Sequence, residues 1–100
     1  MRFLFLLSLA ACGGGTTRAE DILALTGDAA NGATAYGSSC AACHAADGTG
    51  GTGSDLTAAI PGLTDAEIVD TIILGSGDMA PVNLPDQDVA DLLAHLTATF

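Results

Sequence analysis

The sequence predicts an all-α domain of three main helices joined by long loops. Three observations carry that expectation. Apolar residues recur at helical spacing in two stretches, Ile68, Val69, Ile72, Ile73 and Val89, Leu92, Leu93, Leu96. Residues that start and stop helices stand at the edges of those stretches. No stretch alternates apolar and polar residues as a half-buried strand would. With 100 residues, the chain has room for one domain at most.

Residues 1–11 set one positive charge, Arg2, before an apolar run from Phe3 to Ala11. That run is too short to span a bilayer and has the pattern of an export signal. The junction Leu9-Ala10-Ala11-Cys12 resembles the lipobox of bacterial lipoproteins. Residues 1–11 are therefore read as a lipoprotein signal peptide, and Cys12 as the residue that carries the lipid once the peptide is cut. Lipidation also accounts for Cys12, which would otherwise be an odd free thiol in an oxidising compartment. The expected location is the periplasmic side of a bacterial membrane. Gly13 and Gly14, where inner-membrane lipoproteins carry aspartate, point to the outer membrane. Residues 12–24 open with "CGGGTTRAE" and read as a flexible tether, although Ile22 to Leu25 is apolar and of ambiguous type.

The domain proper is expected over residues 25–100. Asp28 suits an N-cap, followed by an alanine-rich helix to about Tyr36. Gly32 lies four residues before Tyr36 on one face, which hints that another helix crosses closely there. "ADGTGGTGSDLT" reads as loop; as a phosphate cradle it lacks the preceding strand and the following Lys-Ser/Thr. Thr64-Asp65-Ala66-Glu67 is a capping box that opens the second helix, and Gly75 stops it. "GSGDMAPVN" is irregular. Pro85, Asp86 and Asp88 mark the start of a final helix that runs to about Thr97.

The charge balance is strongly acidic: 12 Asp and Glu against 2 Lys and Arg, a formal net charge of −10. Removal of residues 1–11 would leave Arg18 as the sole basic Lys or Arg side chain. Such a surface repels nucleic acid; the same charge suits a basic or neutral docking face and solubility at high salt equally well. Aromatic residues make up 4% of the chain and Trp is absent. Long loops and so few large side chains leave a domain this small short of core, unless the loops wrap something apolar from outside.

"SSCAACHAADG" names that body. A structural zinc site needs four ligands, and beyond residues 1–11 the further His, Cys or Met donors are only His95, Met79 and Cys12. A redox Cys-x-x-Cys pair needs a βαβ context that the pattern lacks. Cys40, Cys43 and His44 together form Cys-x-x-Cys-His, the attachment motif of c-type haem. Two thiols at i, i+3 lie along one side of a helical turn and can each add to one vinyl group. The imidazole that follows can then reach the iron. Met79, in a glycine-bearing loop between two helices, is the expected second axial ligand. His95 is the rival, but its place inside the final helix suits packing.

From about Leu25 to Phe100 the chain resembles the class I cytochromes c. "GDAANGATAYGSSCAACHAADGTG" resembles their N-terminal helix and haem motif, and "DLLAHL" their C-terminal helix. The resemblance implies crossed first and last helices, with Gly32 and Tyr36 meeting Leu92 and its neighbours. It also implies one covalent haem c with histidine and methionine ligands, and one-electron transport rather than enzymatic turnover. The alternative is a haem-based gas sensor or peroxidase-like enzyme with an open axial site. Partners are expected to be redox proteins met in transient complexes by a monomer. Two departures stand out: Ala80 separates Met79 from Pro81, and His95 sits where an aromatic residue is common. The lysine-rich docking face of the mitochondrial relatives is absent.

Overall fold

The computed structural model describes residues 17–100. The signal-peptide reading of residues 1–11, the lipidation reading of Cys12 and the first part of the expected tether fall outside the described residues. Six α-helices run in order: α1 (Thr17–Leu23), α2 (Ala29–Ser39), α3 (Ala41–His44), α4 (Leu56–Ala59), α5 (Asp65–Leu74) and α6 (Asp86–Thr99), with a 3-10 turn at Ile60–Gly62 after α4. Among the described residues there is no strand, and no helix is long and apolar enough to cross a membrane. The all-α class holds. Helices α2, α5 and α6 are the three main helices, and α1, α3 and α4 are additions to them.

Local chemistry sets the boundaries. The Asp28 carboxylate accepts from the Ala30 and Asn31 amides and caps α2. Thr64 and Glu67 exchange side-chain and backbone bonds in the capping box of α5, and Gly75, at φ 79°, ends that helix. Pro85 stands just ahead of α6, whose first turn holds Asp86 and Asp88 at the positive end of the helix dipole.

The crossing of α2 over α6 is the main tertiary contact. A side chain at Gly32 would overlap the backbone carbonyl of Asp91, and one at Gly27 the carbonyl of Ala90. Gly32 therefore lets the two helices touch backbone to backbone, and Gly27 lets the chain entering α2 lie against α6. Asp91 is buried in this contact. Its Oδ1 accepts from the Asp28 amide at 2.7 Å and from Gln87 Nε2 at 2.8 Å, and its Oδ2 accepts from Asn31 Nδ2 at 2.6 Å. These bonds hold its carboxyl below the ordinary carboxylate range, against a burial that works the other way; the Asp28 amide contributes most, then Asn31, then Gln87.

The tether reading of residues 12–24 is corrected over its described part. Residues 17–23 form α1, in which Ala19 and Ile22 are fully buried. Arg18 Nε meets Asp86 Oδ1 at 2.8 Å, and Nη2 donates to the Leu84 carbonyl at 2.8 Å. The physical reason is an i, i+3 apolar pair, Ala19 and Ile22, set among polar residues that look like linker. That pair completes a core with Val69 of α5 and with Val89 and Leu92 of α6, all without exposure to solvent.

Candidate functional site

The motif residues sit where α2 ends. The Cys40 amide donates to the Tyr36 carbonyl at 2.8 Å and caps α2. The next turn closes through Cys43 N–H and His44 N–H, both donating to the Cys40 carbonyl, at 3.2 and 3.0 Å. Cys40 and Cys43 therefore share one side of a helical turn, as their spacing predicts. No disulfide joins them; Cys40 is buried and Cys43 exposed. Burial, and then the neighbouring Cys43, raises the Cys40 thiol above its ordinary pKa.

His44 is fixed by its backbone surroundings. Its Nδ1 lies 2.8 Å from the Ser54 carbonyl. A carbonyl only accepts, so Nδ1 carries the proton and Nε2 keeps its lone pair for a ligand. A side chain at Gly53 would come within 2.7 Å of His44 Cε1, so glycine leaves the room the ring occupies. The glycine-rich loop folds back on the motif's own carbonyls: Gly53 N–H donates to Cys43 at 2.8 Å and Gly50 N–H to His44 at 2.9 Å. Those amides are thereby spent within the loop, and a phosphate cradle is not what it forms.

Met79 closes a tight turn. Ser76 and Met79 exchange backbone bonds of 3.0 and 2.8 Å, with Gly77 between them at φ 56°. The exit from the turn is tied to α5 by the Val82 amide, 2.8 Å from the Ile72 carbonyl. Ala80 and Pro81 follow without disturbing either bond.

Cys40, Cys43, His44 and Met79 all line one cavity of about 170 Å³. Its apolar walls include Leu56 and Ile60 from the α4 segment, Ile68 and Ile72 from α5, and Leu96 from α6. A second hollow adjoins it, sharing Cys43, Ser54 and Met79 and rimmed by Ser76 and Asp78. Among the described residues no three His, Cys, Asp or Glu side chains converge as an ordinary metal-ion cluster requires. His95 does not line the cavity. Its ring packs against Tyr36 and Phe100, with centroids 5.4 and 5.8 Å apart, which is the packing role its helical position predicts.

Sequence reasoning missed three contributors: Ser54, Gly53 and the Tyr36 hydroxyl. Ser54 acts through a carbonyl that any residue would supply, so no side-chain pattern marks it. The hydroxyl of Tyr36 donates to the Ala45 carbonyl at 2.6 Å. Burial raises its pKa above the ordinary phenol value, with charge at Cys40 and Asp47 adding to the shift, so it is a protonated donor at neutral pH.

Comparison with curated proteins and with solved structures gave no match. A family model does match, over residues 27–96, which takes in the α2–α6 crossing, the Cys-x-x-Cys-His turn and the Met79 turn. The chain belongs to the family described as cytochrome c oxidase, cbb3-type, subunit III, and is a c-type cytochrome domain, the kind that carries covalent haem.

Proposed function

We propose that this protein is a one-electron carrier that holds a single haem c. Cys40 and Cys43 would hold it through two thioether bonds, and His44 Nε2 and the Met79 sulfur would bind its iron. One observation carries this reading: four side chains spread from position 40 to position 79 line the same cavity, and the imidazole has already committed its other nitrogen to Ser54. The donor set fits haem c and little else, because it joins two thiols, one oriented imidazole and one thioether on apolar walls. Bound there, the group supplies a one-electron redox centre whose potential the protein sets through ligand identity, hydrogen bonding and burial.

The work of the chain is positional. Ser54 holds the imidazole in one tautomer, Gly53 leaves it room, and the Ser76–Met79 turn fixes where the sulfur lies. With both ligand segments bonded through backbone, little rearrangement accompanies a change of charge at the centre. Exposed Cys43 marks where the cavity meets solvent. The acidic surface suits a basic redox partner in a small, transient complex. Cys12 anchors the protein by lipid on the periplasmic side of a bacterial membrane, the outer one by its Gly13-Gly14 sequence, after residues 1–11 are removed.

The test is a sample exported and matured with cytochrome-maturation machinery. A pyridine haemochrome of one haem per chain and an intact mass with haem and acyl increments are expected. The ferric spectrum is expected to be six-coordinate and low-spin, with a near-infrared sulfur-to-iron band that Met79→Ala abolishes. A high-spin ferric spectrum in the unmutated protein overturns the carrier reading in favour of an open-site sensor or peroxidase. A mass without the acyl increment removes the anchor. An exchange rate with a basic partner that ignores ionic strength removes the electrostatic docking.

A further inference from the structure

We infer that Tyr36 is a positioning residue of the attachment motif, gripping residues 40 to 45 at both ends so that His44 presents its ring in one orientation. At the front, the Tyr36 backbone carbonyl accepts from the Cys40 amide at 2.8 Å. At the back, its hydroxyl donates to the Ala45 carbonyl at 2.6 Å. One residue thus brackets both cysteines and the histidine without lining the cavity itself.

What the hydroxyl holds is a conformation that alanine resists. Ala45 sits at φ 67°, ψ 159°, a region adopted with ease only by glycine. Among the described residues it is the sole non-glycine with positive φ. It directly follows His44, and its carbonyl takes a second bond from the Gly48 amide at 3.1 Å. If Ala45 relaxed toward an ordinary φ, the peptide that joins it to His44 would rotate, and the imidazole would swing with it. Strain of this kind persists only where surrounding structure over-determines it.

The phenol ring is itself held. Its centroid lies 5.4 Å from that of His95 and 5.5 Å from that of Phe100. The Phe100 ring also fills the space over Gly48, 2.6 Å from where a side chain there would begin. The α2–α6 crossing is in this way coupled to the direction of the axial imidazole, a coupling that rests on the haem-carrier reading above.

Tyr36→Phe in the haem-loaded protein tests the clamp, because it removes the hydroxyl and keeps the ring packing. The Gly48 amide is expected to exchange with solvent at least tenfold faster. The ferric g-values and the paramagnetically shifted His44 ring resonances are expected to move. Adding Ala45→Gly to Tyr36→Phe is expected to restore both, since glycine needs no clamp to hold that conformation. If Tyr36→Phe does not mature, Ala45→Gly with Tyr36 retained is expected to raise the thermal midpoint and leave the spectrum unchanged; a lowered midpoint overturns the clamp. Unaltered g-values and Gly48 exchange in Tyr36→Phe overturn it too, as does a spectral change that Ala45→Gly fails to reverse. Failure of the carrier reading is separate: it would register in the haemochrome assay of the unmutated protein, while Gly48 exchange still reports on the hydroxyl.

Discussion

Two regions of this molecule share α5 and α6 and are held together by different means. Where α1 packs on them, the chain fills its own interior: Ile22, Val69, Val89 and Leu92 are fully buried aliphatics. Around the cavity, His44 and Met79 are half-buried, Cys43 is exposed and Leu63 is 39% exposed. There the order comes from backbone bonds and glycines: the Ser54 carbonyl on His44, the Gly50 and Gly53 amides on the motif, the Ser76–Met79 pairing. Burial stabilises the first region; in the second, buried Ile60, Ile68, Ile72 and Leu96 form the back wall, and hydrogen bonds position the motif and the Met79 turn in front of it. The contrast says that mutations in the first should register as stability, and mutations in the second as ligand geometry at nearly constant stability.

The sharpest break falls where the two regions meet. Gly32→Val sets a side chain against the Asp91 carbonyl, a backbone atom that cannot turn aside. The helices must part, and the Asp91 bonds and the Tyr36 packing go with them. A loss beyond roughly 4 kcal/mol is expected, the exceptional end of single substitutions and a large part of the ~5–15 kcal/mol that holds a domain. Thermal unfolding of the holoprotein measures it. Ile22→Ala comes next, at about 3 kcal/mol, within the range for emptying a buried aliphatic site. Its ferric spectrum should stay as in the unmutated protein. A change of spin state on Ile22→Ala would erase the distinction between the regions.

Much of this was legible in the sequence, and the rest was hidden for identifiable reasons. Asp28, the Thr64/Glu67 box and Gly75 act locally, so helix boundaries follow from residues a few positions apart. Cys40, Cys43 and His44 act through side chains at fixed spacing, and the spacing survives in the α3 turn. Met79 stood out in the sequence because Met1, in the stretch read as a signal peptide, is the only other methionine. By contrast α1 buries just Ala19 and Ile22, one contact pair in a helix of seven residues, too few for periodicity to register among its polar neighbours. Ser54 and the Tyr36 hydroxyl work on or through backbone carbonyls 9 and 10 residues away. Such pairings depend on how a loop returns, which no local pattern encodes. The glycine-rich stretch also hid α4, whose Asp55 cap accepts from the Thr57 amide.

Acid sharpens the comparison further. The Asp91 carboxyl titrates below its ordinary 3.8 in the folded protein because the Asp28 amide, Asn31 and Gln87 bond its ionised form. Its contribution is therefore present above the unfolded pKa and disappears as pH falls below about 4 toward the folded value. Asp91→Asn should cost about 2 kcal/mol at pH 7, since an amide nitrogen then faces the Asn31 amide and leaves buried donors unpaired. It should also flatten the fall in stability as pH drops below the ordinary carboxylate range. Urea titrations at several pH values measure both. An Asn variant as steeply acid-sensitive as the parent would assign that slope to other carboxylates, Asp47 among them, whose bonds from Thr49 shift it the same way.

The smallest effect is expected at Arg18, and it bears on what holds α1 down. The guanidinium meets Asp86 at 2.8 Å with the two side chains 42% and 45% exposed, where an ion pair contributes about 0.5 kcal/mol. Its second bond, to the Leu84 carbonyl, fixes the geometry more than the energy. If burial of Ala19 and Ile22 is what fastens α1, Arg18→Ala should lower the thermal midpoint by only a few degrees for a domain of this size. Much of that loss should vanish at 1 M salt, where charges are screened within about 3 Å. Asp86→Ala should produce a similar loss, and the double variant little more than either alone. A loss from Arg18→Ala as large as that from Ile22→Ala, and indifferent to salt, would mean that α1 is pinned by its one cation and that the aliphatic region owes less to burial than its exposure values imply.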